Sequence, residues 1–97
     1  MLSESISISE RFRVGLKVHE VDSLEKYPEG VKARFVLVDV IEGHARLLVD
    51  NHEPYGFHIH DGLPDKKSQR TTLKTKDFNE ALEIFWTHVW EVLENEN

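Results

Sequence analysis

The sequence predicts an α+β domain, in which an antiparallel sheet of four to five strands is covered on one face by a single C-terminal amphipathic helix. Three observations lead to this class. Residues 12–21 alternate apolar and polar side chains, Glu42-Gly43 separates two β-branched runs, and residues 77–94 place apolar side chains at helical spacing. Alternating strands bury one face, and an amphipathic helix can cover that face.

Length and composition indicate one domain spanning residues 1–97. Of these residues 39% are hydrophobic and 31% are charged, which is typical of a globular protein and too apolar for intrinsic disorder. The absence of cysteine excludes disulfides, thiolate zinc sites and cysteine nucleophiles. Because no apolar run approaches the roughly 20 residues of a membrane helix, we expect a cytoplasmic protein without a membrane partner.

The sheet is predicted over residues 12–76. Residues 1–10 alternate serine and isoleucine, which suits either an edge strand or a tail. Strands are expected at about 12–21 and 31–41, and residues 71–73 suit a further short strand.

Between the second and third strands, Glu42-Gly43 predicts a two-residue hairpin turn. With that turn Val36 would face Val49, and Val36, Val38 and Val40 would all lie on the apolar side that the helix covers.

The helix is predicted to begin at Asp77, because Asp77 and Glu80 have the spacing of a capping box. Trp86 and Trp90 lie four residues apart and widen its apolar stripe. They form either the edge of the core or a ridge that docks a partner protein.

Candidate chemistry is concentrated on the polar side of the sheet. His58 and His60 project from one face of a strand, with Cα atoms roughly 6.5 to 7 Å apart. A five-residue connection over 52–56 pairs Asp50 with His58, so both histidines share a face with Asp50, while Phe57 joins the apolar side.

Three interpretations of this group remain open. In a metal-free ribonuclease, one imidazole takes a proton from a ribose 2′-hydroxyl and the other protonates the leaving oxygen, with Asp50 orienting a ring. In a metal site, both imidazoles and Asp50 leave one coordination position open, and the metal, such as zinc or manganese, is unknown. In the third, the histidines are exposed strand residues, and Asp50 and Asn51 stabilise the connection.

A basic strip follows the histidines. Residues 66–76 carry five Lys or Arg and no acid, although the whole chain has a formal net charge of −6. The strip is either a solvated linker or a phosphate-binding segment in which Lys66, Lys67 and Arg70 offset substrate charge. Overall acidity argues against broad, nonspecific binding to nucleic acid.

The order of motifs along the chain resembles that of the TumE-like family of small toxin-antitoxin-associated proteins. The motifs, across about residues 12–93, are Tyr-Pro-Glu-Gly-Val-Lys at 27–32, Asp-Asn-His at 50–52, a Gly/Pro connection, His-Ile-His at 58–60 and the helix. The resemblance implies a toxin whose partner is a DNA-binding antitoxin encoded by the adjacent gene. By this resemblance we expect four positions to be functional, namely Asp50, Asn51, His58 and His60.

We therefore predict a toxin that acts on RNA as a ribonuclease through Asp50, Asn51, His58 and His60. The alternatives are a noncatalytic module that docks a protein through its helix or open sheet edge, and a histidine-based metal-binding protein. An exposed edge strand also permits a homodimer.

Overall fold

The protein has one six-stranded antiparallel sheet and one C-terminal helix in the computed structural model, which describes residues 2–22, 24–25, 27–52, 56–64 and 69–96. The strands lie side by side in chain order. They span Leu2–Ser7 (β1), Phe12–Glu20 (β2), Val31–Asp39 (β3), His44–His52 (β4), Gly56–Asp61 (β5) and Gln69–Thr72 (β6), and the helix spans Phe78–Asn95 (α1).

The predicted α+β class is confirmed, with six strands where four to five were expected. The first additional strand is β1, where Leu2 and Ile6 pack against the core, so the N-terminal segment is an edge strand rather than a tail. At the opposite edge β6 pairs with β5, in the region where residues 71–73 suggested a short strand. No helix within the described part of the chain has the length and apolar content needed to span a bilayer.

The core lies between α1 and one face of the sheet, which we call the covered face; the opposite side of the sheet is the open face. Ring centroids of Phe35 in β3 and Phe85 in α1 are 5.9 Å apart, with planes tilted by 48°. Fourteen apolar side chains are buried in this layer, namely Phe12, Val14, Leu16, Val18, Ala33, Phe35, Leu37, Leu47, Val49, Phe57, Ile59, Ala81, Phe85 and Val89.

The N-terminus of α1 uses only part of the predicted capping box. Asp77 Oδ1 accepts a hydrogen bond from the Asn79 N–H at 2.9 Å, as an N-cap residue should. Glu80 instead accepts from the Thr75 hydroxyl at 3.0 Å, and that hydroxyl oxygen also accepts the Asp77 N–H. Thr75 therefore links the two acids that the capping box would have joined directly.

The predicted two-residue turn at Glu42-Gly43 is wrong, because the connection between β3 and β4 spans residues 40–43. The Asp39 carboxylate accepts the N–H groups of Ile41 and Glu42 at 3.1 and 2.9 Å. Gly43 closes the turn with a φ of 78° and donates to the Asp39 carbonyl. A side chain that satisfies two turn amides makes the longer connection favourable.

The longer turn and a bulge in the β3–β4 pairing between Leu37 and Val38 together shift the register by one residue, which changes the side of β3 that faces the helix. Phe35, rather than Val36, is paired with Val49. Because a shift of one residue turns every side chain of a strand to the other face, Phe35 and Leu37 enter the core, while Val36 and Val38 lie half-buried on the open face.

A cluster of four charged residues joins the end of α1 to this turn. Asp39 has no solvent exposure, and its Oδ2 lies 2.8 Å from Arg11 Nε and 3.8 Å from Arg46 Nη1. The same two arginines contact Glu96 at 3.1 and 2.7 Å. Burial opposes ionisation of Asp39, but hydrogen bonds from the Glu42 N–H and from Arg11 outweigh it, so the pKa of Asp39 lies below its ordinary value.

This lowered pKa has a consequence for acid stability. A carboxyl group whose pKa is lower when folded stabilises the protein above its unfolded pKa of about 3.9, and that contribution is lost as pH falls through the folded value. We predict that Asp39→Asn lowers the free energy of unfolding at neutral pH, and that the difference from wild type narrows below about pH 4. Urea unfolding at neutral pH and below about pH 4 measures the difference in the free energy of unfolding between the variant and wild type, and Asp22→Asn, at an exposed residue, is the control. A difference that does not change with pH would contradict the stabilising role of the ionised Asp39.

Candidate metal centre

Asp50, His58 and His60 come together on the open face. β4 and β5 pair Asp50 with His58 and Leu48 with His60. Directly opposite side chains project from the same face, as do residues two apart on one strand. The predicted pairing of Asp50 with His58 is confirmed, and Phe57 lies in the core as expected.

The three side chains are close enough to share one ion. A ligand atom from each lies within 4.8 Å of the ligand atoms of the other two. The imidazole centroids are 4.9 Å apart, with planes at 78°, and His58 Nε2 lies 2.5 Å from Asp50 Oδ1. His58 is fully buried, whereas Asp50 and His60 are half-buried. The group is therefore closed on the His58 side and open on the other.

A backbone contact fixes the orientation of His58. Its Nδ1 lies 3.0 Å from the Gly56 carbonyl oxygen, which can only accept, so Nδ1 carries the proton of this hydrogen bond. In a neutral ring Nε2 then has a lone pair that faces Asp50 Oδ1.

Two states bring these groups together. In one, a doubly protonated His58 forms an ion pair with Asp50. In the other, neutral His58, through Nε2, and Asp50 ligate one cation, and their ligand atoms then separate to about 3.4 Å, the spacing that bonds of about 2.1 Å require around a tetrahedral ion. Histidines that bind metals usually donate the remaining ring N–H to a carbonyl or carboxylate, which is the contact that His58 makes with Gly56.

Asn51, which was predicted to act with the histidines, lies on the covered face with 2% exposure. Its Oδ1 accepts the Ala33 N–H at 2.8 Å, and its Nδ2 donates to the Val31 carbonyl at 2.7 Å and to Glu29 Oε1 at 3.1 Å. Successive strand residues point to opposite faces, which is why the structure does not bring Asn51 together with Asp50. Its amide instead holds the start of β3 against β4.

The predicted phosphate-binding residues divide between described and undescribed segments. Lys66 and Lys67 lie outside the described residues. Arg70 is exposed on β6 and is paired directly with His60, so it lies on the open face beside the candidate metal centre.

Arg34 is a neighbour of the centre that sequence reasoning missed. It is paired with Asp50 across β3 and β4. The incorrect hairpin register had placed Phe35 opposite Asp50. The signal was present in the alternation of Lys32 and Arg34 with the apolar Ala33 and Phe35, which predicts one basic and one buried face.

The two tryptophans lie on α1, in the other layer of the fold. Trp86 is half-buried against the core, and its ring stacks on Trp90 with centroids 6.3 Å apart. Trp90 is 54% exposed. Trp86 therefore forms an edge of the core, whereas much of Trp90 remains open to solvent.

No family model, no curated protein and no solved structure matches this chain. The TumE-like resemblance consequently rests on the sequence motifs alone, and the site must be interpreted from its own geometry.

Proposed function

We propose that this protein is a metal-dependent phosphodiesterase that cleaves RNA, with Asp50, His58 and His60 as the metal ligands. The observation that supports it most is the convergence of their ligand atoms within 4.8 Å, together with the Nδ1–H of His58 held by Gly56. Two imidazoles and a carboxylate form a donor set typical of catalytic zinc, and manganese is a second candidate.

The burial of His58 favours the metal site over the metal-free mechanism. A general acid or base must come within hydrogen-bond reach of the substrate proton, and His58 has no exposed surface. A metal ligand has no such requirement. With His58 behind the ion, the half-buried Asp50 and His60 would leave the solvent side available for water and substrate.

A phosphodiester substrate is favoured by the charge beside the centre. Arg70 lies next to His60, and Arg34 lies next to Asp50. Asp50, His58 and His60 would hold a metal ion that supplies a water molecule of lowered pKa as the nucleophile. As the water oxygen bonds to phosphorus and loses its proton to solvent, the P–O bond to the leaving ribose oxygen would break and that oxygen would take up a proton. The two guanidinium groups would stabilise the added negative charge of the transition state. The role as a toxin with an adjacent-gene antitoxin remains part of the proposal, supported by the motif resemblance.

Metal binding can be measured directly. Calorimetric titration of the wild-type protein with Zn²⁺ or Mn²⁺ should give one site per chain. Because each ligand supplies one of three protein bonds, His60→Ala and Asp50→Asn should each weaken binding by more than about 100-fold. His19→Ala is the matched control, since His19 is an exposed histidine of the open face outside the centre. Absence of heat with wild type, or equal binding by all variants, would contradict the metal centre.

Cleavage requires a second experiment. Single-stranded RNA incubated with wild type and metal should be cut, and expression should arrest growth, whereas His60→Ala should lose at least about 100-fold in rate. His88→Ala, on α1 in the other layer of the fold, should behave as wild type. Activity that survives complete chelation would support the metal-free ribonuclease instead. A wild-type protein that binds metal but leaves RNA intact would exclude the proposed reaction and leave the docking module as the better interpretation.

A further inference from the structure

The open face carries a positive charge that the chain as a whole does not. Five Lys or Arg residues project from its described strands against one carboxylate, that of Asp50, although the net charge of the chain is −6. In the other layer, α1 contains four glutamates and no Lys or Arg. The fold therefore separates charge between its two sides. The five cations are Arg13, Lys17, Lys32, Arg34 and Arg70.

These cations continue from the metal centre across the sheet. Lys17 is paired with Arg34, Arg34 with Asp50, and Asp50 with His58, so the four side chains form one row across β2, β3, β4 and β5. With strands about 4.8 Å apart, this row is roughly 14 Å long. A ligand bound along it would lead from the basic residues directly to the candidate metal centre.

The basic residues are placed where they repel one another. Lys17 lies directly opposite Arg34. Like charges in opposed positions destabilise a sheet. Among the residues that the structure describes, Arg13, Lys17, Lys32 and Arg34 have no carboxylate within ion-pair distance. An anion bound between them would remove this repulsion.

Beside the row, the centre of the open face is apolar. Val36, Val38 and Leu48 are half-buried there, and none of the elements that the structure describes packs over them. Gly15 is paired with Val36, and a Cβ at position 15 would lie 3.3 Å from Val36 Cγ1. Any residue larger than glycine at position 15 would therefore press on Val36.

We infer that the open face binds single-stranded RNA, with phosphates contacting Lys17, Arg34 and their basic neighbours and with bases lying over Val36 and Leu48. Charge complementarity selects a polyanion. The unpaired bases of a single strand can lie on an apolar platform, whereas the bases of a duplex are stacked inside the helix and do not offer their faces to such a surface. The choice of RNA as the ligand rests on the proposed function. The positive charge of the open face and its apolar centre are observed independently of that function.

The inference can be tested without catalysis. Fluorescence anisotropy of labelled oligouridylate, with EDTA present, should show binding by the wild-type protein. At 0.1 M salt each lost phosphate contact should weaken binding about fivefold, so Lys17→Ala with Arg34→Ala should weaken it about 25-fold and reduce the salt slope by about 1.4. Lys76→Ala, which removes one charge next to the N-cap of α1, is the control and should bind as wild type.

Three results would overturn the inference: absence of binding by wild type, equal weakening in the Lys76 variant, or competition by polyglutamate as effective as that by RNA, which would indicate an acidic protein partner. Thermal unfolding of each variant verifies that it is folded. Because binding is measured without metal, RNA that is bound but never cut would exclude only the proposed reaction. If the protein binds metal but does not bind RNA, only the inference that the open face binds RNA would be excluded, and the metal centre would stand.

Discussion

The register between β4 and β5 is the constraint on which the rest of the site depends. With Asp50 opposite His58, the pleat directs both histidines and the carboxylate to one side, and it directs Val49, Phe57 and Ile59 to the other. A slip of one residue would bury the polar group under α1 and expose the apolar one. The hydrophobic layer therefore fixes the site, even though no core residue contributes a ligand atom.

A second constraint is that the described part of the chain forms a single helix. One helix covers one face of the sheet, so the other face must be compatible with solvent or with a ligand. Here that face combines a basic row with a small apolar centre around Val36 and Leu48. A surface that only needed solubility would not require opposed cations such as Lys17 and Arg34, and this is why we associate the face with an anionic polymer.

Sequence reasoning predicted the class, the helix and the β4–β5 pairing because these depend on hydrophobic periodicity. Phe57 and Ile59 could be aligned with the apolar positions of β4 by alternation alone. It was wrong at the β3–β4 turn, because the turn is set by the buried carboxylate of Asp39, whose partner Arg11 is distant in sequence and is itself held by Glu96. Rules based on the turn preferences of single residues take no account of contacts between residues that are distant in sequence.

The same distinction explains the outcome for individual site residues. Asp50, His58 and His60 share a face because side chains alternate between the two faces of a strand, and this alternation can be read from the sequence. Asn51 follows Asp50 in the strand, so the same alternation places it on the other face, and its expected role beside the histidines came only from the motif resemblance. Its hydrogen bonds to the backbone of β3, 18 and 20 residues away, are what nothing local indicates.

The central claim is that His58, His60 and Asp50 ligate one metal ion. X-ray data from crystals soaked in zinc, collected at the zinc absorption edge, test it most directly. The account predicts an anomalous peak about 2.0 to 2.2 Å from His58 Nε2, a His60 ring nitrogen and an Asp50 oxygen, with His58 Nδ1 still donating to Gly56. A protein crystal with no peak at these residues, and with His58 paired only to Asp50, would contradict it.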